Sequence, residues 1–193
     1  MRLFGATVLI ILSISLGACD ELGNAPGSST SVPATSENLQ GTATGTGEFF
    51  SVDGSVKIEC PQDWIILDLN DDADIEVGTD DKELYVLVMS LPKIDYAGDR
   101  AQYSADTRGF LVEGTTNVSQ TDTGKTEING NPAVQYKIQT TIDRTNYMYM
   151  HTIIETDEKY HQVLTWSYPS QFMKYEDLFN TITDSLVEVA PEQ

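Results

Sequence analysis

The chain has 193 residues, room for a single domain of about 140 residues once a targeting segment and a linker are set aside. Its 30 Asp and Glu stand against 11 Lys and Arg, a formal net charge of −19. That balance excludes a nucleic-acid-binding footprint and a polybasic grip on anionic lipid. A domain of this size buries a core without disulfide staples, and only two cysteines, Cys19 and Cys60, exist to make one.

The chain opens on Met1-Arg2, an apolar run over residues 3–16, and then Gly17-Ala18-Cys19. A basic start, an apolar stretch and small residues before a cleavage point describe a secretory signal over residues 1–18. At about 1.5 Å per helical residue the apolar run is too short for a hydrocarbon core of about 30 Å. Leu16-Gly17-Ala18-Cys19 resembles the lipobox of bacterial lipoproteins. That resemblance implies cleavage after Ala18 and a lipid on the Cys19 thiol. Two or more acyl chains, at about 0.8 kcal/mol per buried methylene, anchor a protein stably. In enteric bacteria an Asp after the cysteine, here Asp20, implies retention at the inner membrane. With Cys19 lipidated, Cys60 has no partner for an intramolecular disulfide, and its apolar neighbours predict a buried, inert thiol.

Residues 19–46 read as the lipidated cysteine and a linker dominated by Gly, Ser, Thr, Ala and Pro. Such a segment cannot bury enough apolar surface to offset its ordering entropy. As a coil it spans about 30 Å, enough to hold a domain clear of a bilayer. The domain itself is placed at residues 47–190, with its first structured segment near Phe49.

Strands are predicted over residues 56–60, 64–69, 75–77 and 84–91 from alternation and β-branched or aromatic content. Residues 99–113 read as a helix. Residues 117–121 and 125–128 flank Asp122-Thr123-Gly124 as a hairpin, and Asn129-Gly130 is a strong two-residue turn. Residues 134–142 alternate, with Val134, Tyr136, Ile138, Thr140 and Ile142 on one face. Residues 147–156 and 159–168 bracket a turn at Asp157-Glu158. Pro169-Ser170 begins the last helix with Ser170 as its cap. Along it, Phe172, Tyr175, Phe179, Ile182 and Leu186 form one apolar stripe. The fold class is α+β: an antiparallel β-sheet with helices packed on it.

Several short motifs over residues 48–189 together resemble the PsbP-like superfamily. They are Phe49-Phe50, then the strand from Val56 to Pro61 followed by Trp64. Ile128-Asn129-Gly130-Asn131-Pro132-Ala133 leads into a long strand, and the terminal helix ends on Ser185-Leu186. The superfamily includes the PsbP subunit of photosystem II, DcrB-like bacterial lipoproteins and a nuclear transport factor that binds Ran. The resemblance implies an α/β/α sandwich. It implies no single function, because its members do unrelated jobs and none of their partner-binding residues maps onto this chain.

Candidate chemistry begins with an acidic loop. Asp68-x-Asn70-x-Asp72-x-Asp74 sets oxygen ligands at alternate positions, with Glu76 and Asp80-Asp81 following. Calcium takes six to eight hard oxygens, and curling loops supply them from alternate positions. Ala73 stands where an EF-hand loop needs Gly, and Thr79 where it needs Glu, so the choice is a weak calcium site or a solvated loop.

The two histidines are tested by register. A two-residue turn at Asp157-Glu158 pairs Thr156 with Lys159, so His151 faces Leu164 and Ile154 faces His161. His151 then shares a face with Tyr147, Tyr149, Trp166 and Tyr168, while His161 points to the other face. They cannot share a metal. The aromatic cluster reads as core or as a ligand groove. Ser104, Ser119 and Ser167 lack a Gly-x-Ser-x-Gly context, and no phosphate loop, His-Glu-x-x-His or paired-cysteine knuckle occurs.

The expected function is a non-catalytic envelope lipoprotein, lipid-anchored to the outer face of the cytoplasmic membrane. Its binding or assembly domain would meet a protein partner there, with no nucleic acid and no obligatory cofactor. A small-molecule or calcium-binding module and an unrecognised hydrolase are the alternatives.

Overall fold

A computed structural model describes residues 45–79 and 81–190. Cys19, the expected signal and all of the expected linker before Gly45 lie outside them, as does Asp80. The strands are β1 (Thr46–Phe50), β2 (Val56–Pro61), β3 (Ile65–Ile66), β4 (Ile75–Thr79), β5 (Leu84–Pro92), β6 (Thr116–Asp122), β7 (Glu127–Ile128), β8 (Asn131–Ile142), β9 (Thr145–Glu155), β10 (Lys159–Ser167) and β11 (Val187–Glu188). Helix α1 (Arg100–Val112) follows β5, and α2 (Pro169–Asp184) follows β10.

The main sheet runs β3-β4-β5-β10-β9-β8-β6, with β7 also paired to β8. Every pairing in it is antiparallel. A second, three-stranded sheet runs β1-β2-β11. Helix α2 and the small sheet cover one face of the main sheet. There Val56, Ile58 and Cys60 meet Met150, Ile154, Val163, Phe172, Phe179 and Ile182 in one apolar cluster. Helix α1 covers the other face. Leu111 and Val112 pack on Tyr147, Tyr149, Leu164 and Trp166, and Tyr103 packs on Ile153 and Tyr160. The result is the antiparallel sheet with helices on both sides expected of the PsbP-like sandwich.

Local chemistry explains most elements. Asp99 caps α1, its carboxylate accepting from the Gln102 amide at 2.9 Å. Asn129 and Gly130 have φ of 51° and 78°, as a type I′ turn requires, and join β7 to β8 through Ile128 and Asn131. The β9–β10 hairpin has the register set by its two-residue turn: His151 opposite Leu164, Ile154 opposite His161 and Tyr149 opposite Trp166. The α2 stripe buries Phe172, Phe179 and Ile182 fully and Tyr175 in part; the helix ends at Asp184, so Leu186, also expected on the stripe, is buried just beyond it.

Four expectations fail in detail. The strand expected over residues 64–69 shrinks to Ile65–Ile66: Leu67 still donates to the Glu76 carbonyl across from it, but Leu69 leaves the ladder and donates to the Glu76 carboxylate. Residues 117–121 and 125–128 do not form a hairpin with each other. Strands β6 and β7 both pair with β8, which is long enough to receive them end to end. Ser170 does not cap α2. Tyr168 holds that position, and Pro169 occupies the first helical turn, where its missing N–H costs nothing. The first strand opens at Thr46, inside the expected linker and ahead of Phe49.

Candidate functional site

The acidic loop is divided between exposed and more enclosed positions. Asp68 and Asp72 are exposed, and the Asn70 carboxamide oxygen is occupied by the Asp72 amide at 2.9 Å. Glu76 is buried, with one oxygen accepting from Leu69 at 2.6 Å and the other unpartnered, as is one Asp74 oxygen. Among the described residues, no three His, Cys, Asp or Glu side chains are grouped to hold a metal ion. Cys60 is wholly buried, and burial pushes its thiol up to about 12.

The histidines occupy opposite faces, each tying the sheet to its cover. His151 Nε2 lies 2.9 Å from Thr107 Oγ1 on α1. Because that hydroxyl donates to the Tyr103 carbonyl at 2.8 Å, it accepts from His151. Burial, aided by the nearby Arg108 charge, drives His151 down to about 3, so the ring is neutral. His161 Nδ1 meets Ser90 Oγ and its Nε2 meets Glu188, each at 2.9 Å. Burial also lowers His161, against the pull of Glu188.

Ser90, His161 and Glu188 thus form a serine–histidine–carboxylate line, the order of groups in a serine hydrolase. The setting is that of a clamp. Ser90 and His161 are cross-strand neighbours in the sheet, the ring has no exposure, and Glu188 comes from the small sheet that covers it. None of the three lines the cavities described below. Of the other serines, Ser167 donates to the Glu83 carbonyl, Ser119 lies on β6, and Ser104 is buried without a partner.

The aromatic cluster is sealed. Tyr147, Tyr149 and Trp166 are buried among Leu111, Val112, Tyr85 and Tyr168, with Tyr85 and Trp166 stacked at 5.1 Å. It is core rather than a groove.

What stays open is the end of the sheet. Strand β6 is the last strand of the main sheet, and all of its residues are exposed. A register shift between Thr116 and Ser119, with Asn117 at φ 53°, bends its first half. Beyond the bulge it runs regularly from Ser119 to Asp122 and carries no Lys, Arg or Pro to blunt the edge. The opposite edge, β3, has two residues. Two cavities flank the loop that leaves β6. One, of about 270 Å³, lies between α1 and β8; the other, of about 460 Å³, lies toward α2. Sequence reading overlooked this corner. The available signal was Arg100, Ser104 and Arg108, four residues apart on one face of a helix in an acidic chain.

No family model matches the chain, and no curated protein matches its sequence. Solved structures match its shape. The PsbP protein (CyanoP) of the cyanobacterium Synechocystis aligns with a TM-score of 0.54 at 12% identity, over 80% of this chain and 98% of that one. Mog1p, a Ran-binding protein of Saccharomyces cerevisiae, aligns with 0.55 at 11%, over 75% and 95%. LpqN of Mycobacterium tuberculosis, involved in cell envelope biogenesis, aligns with 0.51 at 12%, over 76% and 91%. At such identities the likeness establishes architecture alone: the chain has the PsbP-like fold.

Proposed function

We propose that this protein is a DcrB-like, non-catalytic lipoprotein of the bacterial cell envelope. Lipid on Cys19 and the linker before the domain tether it to the outer face of the cytoplasmic membrane, periplasmic in a Gram-negative cell. From there the PsbP-like domain offers the free edge of β6 to a protein partner. The observation that carries this reading is the β6 edge, fully exposed and unguarded beyond its bulge. An edge of that kind accepts an extended segment through main-chain hydrogen bonds. Similarity in fold to a Ran-binding protein and to a protein of cell envelope biogenesis supports a binding role in the envelope.

The test compares cross-linked partners from membranes of the normal strain, a Cys19→Ser strain and a strain carrying Ser119→Lys with Thr121→Lys. The expected result is one partner that requires both the anchor and the edge. Recovery of the same proteins from all three strains would overturn the reading.

A further inference from the structure

The smaller cavity reverses the charge of the molecule around it. In a chain with 30 acidic and 11 basic residues, its wall carries Arg100, Arg108 and Lys125 against one carboxylate, Asp122. Asp122 is engaged in its own loop, accepting from the Gly124 amide at 2.7 Å. Arg100 pairs with Glu155, and Lys125 with Asp184, so much of their charge is offset at the site. Arg108 differs. It has no carboxylate partner among the described residues, although its neighbours hold it firmly. Its guanidinium lies 3.5 Å from the centroid of the Tyr136 ring. Nε donates to the Ser104 carbonyl at 3.0 Å, and Nη1 to Gln120 Oε1 at 3.1 Å. Neither bond uses Nη2. Beside it in the wall, the Ser104 hydroxyl is buried and has no hydrogen-bond partner.

A guanidinium fixed by stacking, with donors to spare, is built for an oxyanion, because its fork matches the two oxygens of a carboxylate or phosphate. Holding it in advance removes much of the ordering cost of binding. A cavity of about 270 Å³ falls below the range of about 300–1,000 Å³ typical of drug-sized ligands, so the ligand is small. We propose that the cleft between α1 and β8 binds a small oxyanion, carboxylate or phosphate, with Arg108 as its principal contact and Lys125 beside it in the wall, where the anion competes with Asp184 for the ammonium. This site adjoins β6 through Asp122 and through Gln120, which holds Arg108, but the proposal does not rest on partner binding at that edge.

Calorimetry of the purified chain at constant ionic strength, with inorganic phosphate, with succinate and with chloride as reference, tests the site. Saturable binding of phosphate, succinate or both is expected, and their ranking identifies the oxyanion. Arg108→Gln should weaken it at least tenfold and Arg108→Lys by less, since the charge remains and the fork is lost. Lys125→Gln, on the loop and away from the core, should weaken it severalfold and keeps the test valid if Arg108→Gln does not fold. Ser119→Lys should leave it unchanged. Absence of saturable binding of both anions, or equal affinity in folded Arg108→Gln and Lys125→Gln variants, would overturn the proposal.

Discussion

The two covers of the main sheet are built differently. Helix α2 buries Phe172, Phe179, Ile182 and Thr183, and with the small sheet it closes its face with apolar side chains. Helix α1 buries only Tyr103 and Ser104, and the face beneath it is rich in tyrosine. The histidines repeat the contrast. On the α2 side, His161 has partners for both ring nitrogens; on the α1 side, His151 Nδ1 is buried with none. A face sealed by a broad apolar stripe supports the fold, and the larger cavity meets α2 away from that stripe, at Glu176 and Asn180. Buried polar atoms go unmatched on both sides, Thr183 Oγ1 on α2 and Ser104 Oγ and His151 Nδ1 on the α1 side, but the narrower, more polar helix also walls the cleft beside Arg108, and ligands are found in such places.

The largest expected effect lies on the α2 side. Phe179→Ala removes a wholly buried ring packed at a tilt against Phe172, with centroids 5.3 Å apart, and should cost about 3–5 kcal/mol in denaturant unfolding. A loss below about 1 kcal/mol would mean that the small sheet, rather than the helix, seals that face.

Next comes acid sensitivity on the α1 side. His151 has an ordinary value near 6.5 when unfolded and about 3 when folded, because burial excludes its proton. Its contribution is therefore complete above pH 6.5 and declines as the pH falls toward 3, by about 1.4 kcal/mol per pH unit once well below 6.5. His161 is lowered too and acts in the same direction. Unfolding free energies between pH 6.5 and about 4.5, above most carboxylate titration, should show a shallower slope in His151→Gln than in the parent. An unchanged slope would place the acid sensitivity elsewhere.

The smallest effect is the sharpest discriminator. Ser104→Ala deletes a buried hydroxyl that bonds nothing within the protein, so stability should stay within about 0.5 kcal/mol or rise slightly. A loss above about 1.5 kcal/mol would mean that the hydroxyl has an internal partner and that the α1 face is as closed as the other.

Much of the architecture is legible in the chain because its signals are short-range. Asn129-Gly130 specifies a tight turn, and the turn length at Asp157-Glu158 alone sets the register that separates His151 from His161. The α2 stripe follows from helical spacing. Asp74 and Glu76 mislead for the same reason. Alternation in the chain places oxygens regularly, but β4 begins at Ile75 and turns Glu76 into the fold, where one of its oxygens holds the Leu69 amide. The Arg108 cleft was harder to foresee. Its walls come from α1, from the loop after β6 and from β8, and only Arg100, Ser104 and Arg108 lie close enough in sequence to show a pattern.

The sequence by itself determined the strand and helix periods, the tight turns and the register of the β9–β10 hairpin. All of these depend on backbone geometry and side-chain spacing over a few residues. Only the tertiary structure decided that β6 bypasses β7 to pair with β8 and becomes the sheet's free edge, and that Arg108 stacks on Tyr136. Such contacts join segments across closed loops, and the whole sheet selects them through the combined energy of pairing and burial.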